Sequence, residues 1–436
     1  MSIRKESAKS RTRRLPQTAL APHLTSIMVP LLAMVSAMAV ANVYFAQPLL
    51  DTMATDLNVS PSAIGLVVTL TQAGYALGLI FIVPLGDLWD RRKLIIGQLL
   101  LSAVALISVS LAPTFSLLLM AMLIIGLMAV VVQVIVAFAA ALAPEQQRGK
   151  IVGKITSGIV LGILLARFIS GTMTDFAGWR SVYFCSAAVM LLMVIVLYRV
   201  IPPVAKPAVS SYRQLLLSLW GLFTRERELR IRSTLALLIF MAFSVLWTAM
   251  VLPLSGPPYL LSPSQVGLFG LAGIAGAFAA ARAGQWADRG LGVKTTQIAL
   301  ALLLLSWLPI AFLPYSLWWL VIGVVILDFA VQAVHVTNQS IILALRPDAQ
   351  SRLVAGYMLF YSIGSAIGAI SATIVYANAG WSGVCILGGM ISAIAMLNLL
   401  TSPPDSLLAL RFSNSRMEKR SISSLALAFA TFFERP

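Results

Sequence analysis

Apolar residues form long runs along most of this chain, and short polar stretches separate the runs. A helix needs about 20 apolar residues to cross a bilayer. The period-2 alternation of a membrane β-barrel strand is absent from the sequence, so the runs predict transmembrane helices. We number twelve of them as spans 1 to 12, in chain order: 27–50, 61–84, 94–112, 115–143, 151–174, 180–201, 233–256, 264–283, 295–313, 316–345, 353–377 and 381–401.

The composition agrees with a membrane protein of many spans. Hydrophobic residues make up 59% of the 436 residues and charged residues only 11%, whereas soluble domains have about 45–50% and about 25%. Both cysteines, Cys185 and Cys385, lie inside apolar runs. This placement predicts small buried side chains rather than a disulfide framework or a metal site, and no cofactor is expected.

The basic residues predict how the chain is oriented in the membrane. With both termini in the cytoplasm, every lysine and arginine except Arg167 and Arg180 lies at the cytoplasmic side of a span. This is a strong positive-inside signal. Because topology accounts for the net charge of +16, the charge gives no reason to predict nucleic-acid binding.

The spacing of the runs divides the chain into five segments. A cytoplasmic arm (1–26) precedes a first six-helix bundle (27–201), a cytoplasmic central loop (202–232) leads to a second six-helix bundle (233–401), and a cytoplasmic tail (402–436) follows. We call the two bundles the first half and the second half.

The two halves resemble each other at an offset of about 200 residues. Gly86 and Asp90-Arg91 match Gly284 and Asp288-Arg289, Gln133 matches Gln332, and AGWRSV at 177–182 matches AGWSGV at 379–384. Six spans per copy give both copies the same orientation, which predicts a pseudo-two-fold axis along the membrane normal. Motifs of the form small-x-x-x-small in spans 2, 5, 8 and 11 predict that these helices meet across the two halves.

The polar stretch IVPLGDLWDRRKLI at 82–95 carries a family resemblance. Gly86, Leu88, Asp90, Arg91, Arg92 and Lys93 fit the pattern G-x-L-x-D-R plus basic residues, which resembles the loop between spans 2 and 3 of the major facilitator superfamily. The segments NVYFAQPLL (42–50) and LDFAVQAVHVTNQSIILALRP (327–347) are similar to a bacterial branch of drug or sugar efflux carriers. In span 5 the antiporter pattern G-x-x-x-G-P-x-x-G-G is kept at Gly158 and Gly162 only.

The resemblance implies a cytoplasmic gate in this loop and its second copy. In the superfamily the loop latches the two halves together in the outward-open state. The alternative is a positive-inside anchor with incidental acidic residues. The predicted gate consists of Gly86, Asp87, Asp90, Arg91, Arg92, Asp288 and Arg289.

A polar stripe runs along span 10. Asp328, Gln332, His335 and Gln339 stand at i, i+4, i+7 and i+11 of one helix, a stripe about 16 Å long. Lipid cannot face such a stripe, and an ionisable group inside a span is a functional candidate by default. We predict Asp328 and His335 as the proton-coupling residues.

The resemblance also implies that spans 1, 4, 7 and 10 surround a central substrate cavity. The predicted lining is Asn42, Gln47, Gln133, Trp247, Thr248, Gln332 and Gln339. For the amides and the threonine, hydrogen bonding between helices is an equal alternative. Arg167, in the outer half of span 5, is expected to pair with Asp175 or to extend outward, with a substrate role as the alternative.

The sequence contains no nucleophile motif and no phosphate-binding loop, and His23 and His335 are its two histidines. We therefore predict a secondary transporter, not an enzyme, in the bacterial inner membrane. It would act as a monomer and exchange protons for a small organic solute, in efflux by alternating access. Uptake by proton symport stays open, as do two other classes: a membrane enzyme with Asp328 and His335 as acid and base, and a sensor that does not transport.

Overall fold

The computed structural model describes residues 27–143, 148–202, 211–273, 276, 283, 286, 291–345 and 350–401. Within these residues every regular element is a helix. The predicted arm 1–26 and the tail 402–436 lie outside the described residues.

The first half contains six spans, two of which are interrupted. Span 1 consists of helices Met28–Tyr44 and Leu50–Asp56, and span 4 of Phe115–Ala129 and Val131–Leu142. The other four are continuous helices: Leu66–Phe81, Arg91–Ser110, Arg148–Ala177 and Trp179–Val200.

The second half follows a helix of the central loop, Tyr212–Arg225. Span 7 consists of Arg227–Ala249 and Val251–Ser255, and span 8 begins with Pro263–Leu268. Most of the rest of span 8 lies outside the described residues. Spans 9 and 10 are Gly292–Ala311 and Leu317–Leu345, and spans 11 and 12 lie in one long helical segment, Gln350–Thr401.

Nine helices among the described residues are long and apolar enough to cross a membrane. The shorter helix Leu66–Phe81 has 16 residues and forms span 2. The segment Gln350–Thr401 contains two spans because its backbone leaves the helical region at Gly380. With span 8, the helices follow the twelve predicted spans in order.

Two glycines at equivalent positions of the repeat separate successive spans in the same way. Gly178 divides spans 5 and 6 with a φ of 78°, and Gly380 divides spans 11 and 12 with a φ of 61°. Both φ values are positive, a region that glycine enters without the penalty of a Cβ atom. Both glycines belong to the AGW motif, so the sequence repeat is also a repeat of backbone conformation.

The small-residue motifs themselves pack inside each half. A Cβ atom on Gly78 would meet Leu127 and Val130 of span 4, at 2.6 Å for the Leu127 oxygen, and one on Gly276 would meet Gln332 of span 10 at 2.9 Å. The motifs of spans 5 and 11 behave alike, because Gly158 faces Ala33 of span 1 and Gly364 faces Leu237 of span 7. The same pairs of helices, 2 with 4 and 5 with 1, are thus joined in both copies.

The helices that carry these motifs do meet across the halves, through other residues. Spans 2 and 11 are joined where the Thr69 hydroxyl donates to the Ala366 oxygen at 3.0 Å and the Thr373 hydroxyl donates to the Ser62 oxygen at 3.0 Å. These residues lie at the end of each span that is predicted to face outward.

Spans 5 and 8 form the second contact between the halves. The Asp175 carboxylate accepts hydrogen bonds from the Ser262 hydroxyl at 2.8 Å and from the Ser264 backbone N–H at 3.1 Å. Gly171 lies against the Pro263 backbone close by. These two contacts between the halves therefore lie at the predicted outer side.

Candidate functional site

Six buried polar and aromatic side chains meet between the two halves, and we call them the central cluster. Each half supplies three of them, and each is less than a tenth exposed. The members are Tyr44, Gln47 and Arg167 from the first half and Trp247, Asp328 and Tyr361 from the second.

Arg167 lies at the middle of the cluster. Its Nε donates to the Gln47 side-chain oxygen at 2.6 Å, and its guanidinium carbon lies 3.8 Å from the centre of the Trp247 ring. The rings of Tyr44 and Phe243 lie at 5.1 and 5.6 Å from the same carbon. An arginine among aromatic faces gains cation–π attraction that grows as water is excluded. The guanidinium is thus held from both halves.

The expectation that Arg167 pairs with Asp175 or extends outward was wrong. Arg167 is 2% exposed, whereas Asp175 is exposed and accepts from Ser262 and Ser264. The position along the span suggested an outer location, but the helix face that carries Arg167 points to the centre of the molecule.

Trp247 connects the arginine to the acid. Its indole N–H donates to Asp328 Oδ1 at 3.1 Å, while its ring lies against Arg167. Asp328 and Arg167 also interact electrostatically, although the described residues show no ion pair between them within contact distance. A buried acidic side chain of the second half and a buried basic side chain of the first half thus both contact the same indole ring.

Tyrosines form the part of the cluster closest to spans 2 and 11. The hydroxyls of Tyr44 and Tyr361 share a hydrogen bond across the halves. The Tyr75 ring lies edge-on to the Tyr361 ring with centroids 6.5 Å apart, and the Gln133 amide donates to the Tyr75 hydroxyl at 3.3 Å. The predicted residue Gln133 therefore reaches the cluster through Tyr75.

His335 lies on the same face of span 10 as Asp328. Its Nδ1 lies 2.9 Å from the Tyr357 hydroxyl. Further along span 10, the Asn338 side-chain oxygen accepts from Arg232 at 3.3 Å, and Arg232 donates to Glu228 at 2.7 Å. Arg232 and Glu228 are both buried, so a buried ion pair lies at the start of span 7.

The other predicted cavity residues lie apart from the cluster. Asn42 accepts from Ser186 at 2.6 Å, which makes it a link between spans 1 and 6. Thr248 is fully buried, and its hydroxyl has no hydrogen-bond partner among the described residues. Gln332 packs against Gly276, and Gln339 is half-buried on the same stripe.

Comparison with known proteins identifies the family. The sequence profile of the Major Facilitator Superfamily matches residues 31–282 and 233–436. This chain belongs to the Major Facilitator Superfamily. It is therefore a multi-pass membrane protein of a transporter family, and the resemblance of the 82–95 loop is confirmed at the level of the superfamily.

Individual relatives of this superfamily member are also named as transporters. The chain is 43% identical to Uncharacterized transporter YgaY of Escherichia coli O157:H7 over 378 residues, covering 87% of this chain and 95% of the relative. It is 29% identical to Probable transporter SCO4007 of Streptomyces coelicolor over 365 residues, covering 83% and 84%. These names give no solute, so the drug or sugar efflux branch stays a prediction.

A solved structure supports the fold. The crystal structure of a bacterial homolog of the human lysosomal transporter Spinster, in an inward-facing and unoccupied conformation, aligns with a TM-score of 0.67 at 15% identity. The alignment covers 87% of this chain and 99% of that chain. At this identity the likeness concerns the fold alone.

Two arginines of the 82–95 loop form hydrogen bonds within the first half. Arg91 donates from Nε to the Gly86 oxygen at 2.9 Å and from Nη1 to the Ala137 oxygen of span 4 at 3.2 Å. Arg92 donates to the Tyr198 oxygen of span 6 at 2.5 Å. Both arginines therefore link spans 3, 4 and 6 of the first half.

Asp90 caps the helix that follows the loop. Its side chain accepts from the Arg92 backbone N–H at 2.9 Å at the start of span 3, as acidic N-cap residues commonly do. The Asp87 side chain, Asp288 and Arg289 lie outside the described residues, so the latch between the halves stays a prediction.

Sequence reasoning did not find the tyrosines of the cluster as a set. Tyr44 belongs to the NVYFAQPLL segment, three residues before Gln47, so the helical period could have suggested that both share a face. Tyr361 lies in a span outside the four that the resemblance assigns to the cavity, although its ring, like those of Trp247, Tyr75 and Tyr357, would suit an amphipathic organic molecule or a sugar ring.

Proposed function

We propose that this superfamily member is a secondary transporter that moves a small organic solute across the bacterial inner membrane by alternating access, driven by protons. Both termini would lie in the cytoplasm, and the chain would act as a monomer. Efflux is the direction that the branch resemblance implies. The central cluster is the proposed solute site, and Asp328 and His335 are the proposed proton-coupling groups.

The observation that carries this proposal is the pairing of groups from two halves around Trp247. Asp328 and Arg167 are buried, oppositely charged and contributed by different halves. A rocking motion that separates the halves would change the distance between these charges. A group that binds a proton in one state and releases it in the other is what a proton-coupled carrier needs.

The contacts between the halves support alternating access. With the predicted orientation, the hydrogen bonds from Ser262 to Asp175 and from Thr373 to Ser62 close the outer side. This arrangement corresponds to an inward-facing state. The predicted latch at the 82–95 loop would form in the opposite state, which agrees with the contacts of Arg91 and Arg92 inside their own half.

Proton symport is a second candidate, because Arg167 is part of the cluster. A buried guanidinium gives the site a permanent positive charge, so protonation of Asp328 would favour the binding of a negative group. Solute and proton would then bind together rather than compete.

The test is proton movement in proteoliposomes that contain the purified chain and an internal pH-sensitive dye. Anionic, neutral and cationic organic compounds are added outside, one at a time, and the internal pH is followed. A solute exchanged for protons and a solute carried with protons move the internal pH in opposite directions. Absence of any protein-dependent pH change over the panel, with solute movement present, would exclude proton coupling.

The same vesicles separate a transporter from the other two classes. A membrane enzyme would convert an added compound chemically, and a sensor would bind it without flux. Mass spectrometry of the external and internal solutions distinguishes the three outcomes.

A further inference from the structure

We infer that the solute site of this transporter takes a small organic anion, bound by the Arg167 guanidinium, together with a proton on Asp328. This inference rests on the second candidate under the proposed function, proton symport, and adds the chemical class of the solute.

The first observation is an unused donor at Arg167. The guanidinium is buried, and its Nη2 has no hydrogen-bond partner among the described residues. A buried donor without an acceptor is costly in a protein interior. An arginine presents its N–H groups as a planar fork that matches a carboxylate, so an anionic group is the chemical partner that this donor lacks.

The second observation is that the rest of the guanidinium is fixed. Gln47 accepts from Nε at 2.6 Å, and the Trp247 ring covers one face at 3.8 Å. The Arg167 backbone also packs against Gly267 of span 8, where an added Cβ atom would lie 2.5 Å from the Arg167 oxygen. The guanidinium is therefore held in place before a ligand arrives, which lowers the entropic cost of binding.

The charge of the cluster decides between an anion and a cation. Arg167 and ionised Asp328 together carry no net charge. When an anion binds and a proton binds to Asp328, the cluster stays neutral. Protonation removes the negative charge of Asp328, and the anion supplies one negative charge in its place. A cation would instead add a second positive charge beside Arg167, in a buried site where unpaired charge is expensive.

The aromatic rings would hold the organic part of the anion. Tyr44, Phe243 and Trp247 surround the guanidinium carbon within 5.6 Å, so an anionic group at Nη2 would lie close to these rings. The Tyr44 and Tyr361 hydroxyls, which bind each other across the halves, can donate to further oxygens of the solute.

The experiment measures binding by thermal unfolding of the full chain in detergent. Ligands are benzoate, phenylacetate, benzenesulfonate and succinate, each beside its uncharged amide and an amine of similar size. We expect at least one anion to bind at least tenfold more tightly than its amide and its amine. The inference is overturned when an amide or amine binds more tightly than every anion, or when no anion binds.

Two variants test the role of Arg167. Arg167→Gln should weaken binding of that anion about 10- to 100-fold, as loss of a charge-assisted hydrogen bond does. The matched control is Arg180→Gln, because Arg180 binds Asp56 at the outer surface and should leave anion affinity unchanged. Anion affinity that survives Arg167→Gln refutes the inference. If Arg167→Gln does not fold, the anion, amide and amine series on the natural chain decides alone.

A third variant separates this inference from the proposed proton coupling. Asp328→Asn removes the competing negative charge and should bind the anion at least as tightly as the natural chain, and tighter binding by the amine would contradict the inference. If anions bind but move no protons in the proteoliposomes, proton coupling is refuted and the inferred solute class stands. If cations exchange for protons, the inferred solute class is refuted and the proposed function stands.

Discussion

The replacement Asp328→Asn tests whether the carboxylate at the centre of the molecule couples solute movement to protons. We expect a folded protein that still exchanges solute down a solute gradient but no longer concentrates it. The physical reason is that an amide cannot bind and release a proton in the physiological range, whereas its shape and size match those of the acid.

The structure indicates that the replacement is mild for folding. The Trp247 indole donates to Asp328 Oδ1 at 3.1 Å, and an amide oxygen can accept the same hydrogen bond. A hydrogen bond to a charged group contributes about 1.5–3 kcal/mol and a neutral one about 0.5–1.5 kcal/mol. The expected loss of stability is therefore about 1 kcal/mol, to be checked as a small shift in thermal unfolding.

The loss of function should be much larger than the loss of stability. A pH difference of one unit is worth about 1.4 kcal/mol per proton, which sustains about a tenfold solute gradient at one proton per solute. For the Asp328→Asn variant, the internal and external solute concentrations should become equal. The difference between a tenfold and an equal distribution is readily measured with labelled solute in proteoliposomes.

The matched control is Asp51→Asn, the same chemical change at an acid of the helix Leu50–Asp56 that is not a member of the cluster. This control should keep the solute gradient. Full proton-driven accumulation in the Asp328→Asn variant would refute the reasoning and leave the polar stripe of span 10 with a structural role only.

Three further predictions address the packing and the closure of the halves. Gly364→Ala places a Cβ atom against the Leu237 backbone and should lower the free energy of unfolding by about 1–3 kcal/mol. The control is Gly389→Ala, whose Cβ atom meets nothing within 4 Å. Equal melting temperatures of the two variants would contradict the close packing of Gly364 on Leu237. Asp175→Ala removes the acceptor for two hydrogen bonds between spans 5 and 8, and should shift spin-label distances across spans 2 and 11 toward outer opening. Unchanged distances would show that this contact does not hold the outer side closed. Asp90→Asn keeps an N-cap at span 3 but removes the charge, so it should reduce cross-linking between the halves at the predicted cytoplasmic side; unchanged cross-linking would exclude the latch.

The spans could be predicted from the sequence because the bilayer imposes a length and an apolar composition on each of them. The repeat was equally accessible, since the two AGW motifs lead to the same positive-φ glycine at Gly178 and Gly380. These features depend on what a residue is and on where it stands along the chain.

The facing direction of individual helices was harder to predict. Gly158 was expected at a contact between halves but faces span 1 of its own half, and Arg167 was expected at the outer surface but faces the centre. Asn42 faces span 6 rather than the cluster. In a helix that touches protein on more than one side, the hydrophobic pattern does not distinguish one buried face from another, so these assignments required the tertiary structure.

The paired glycines have a genetic consequence. Gly78 and Gly276 face equivalent helices in the two copies, as do Gly158 and Gly364. In a mutational scan, positions of the first half that do not tolerate substitution because of helix packing should therefore recur about 200 residues later in the second half. Arg167 contacts residues of both halves in the central cluster, so intolerance at Arg167 is not expected to recur at the equivalent position of the second half.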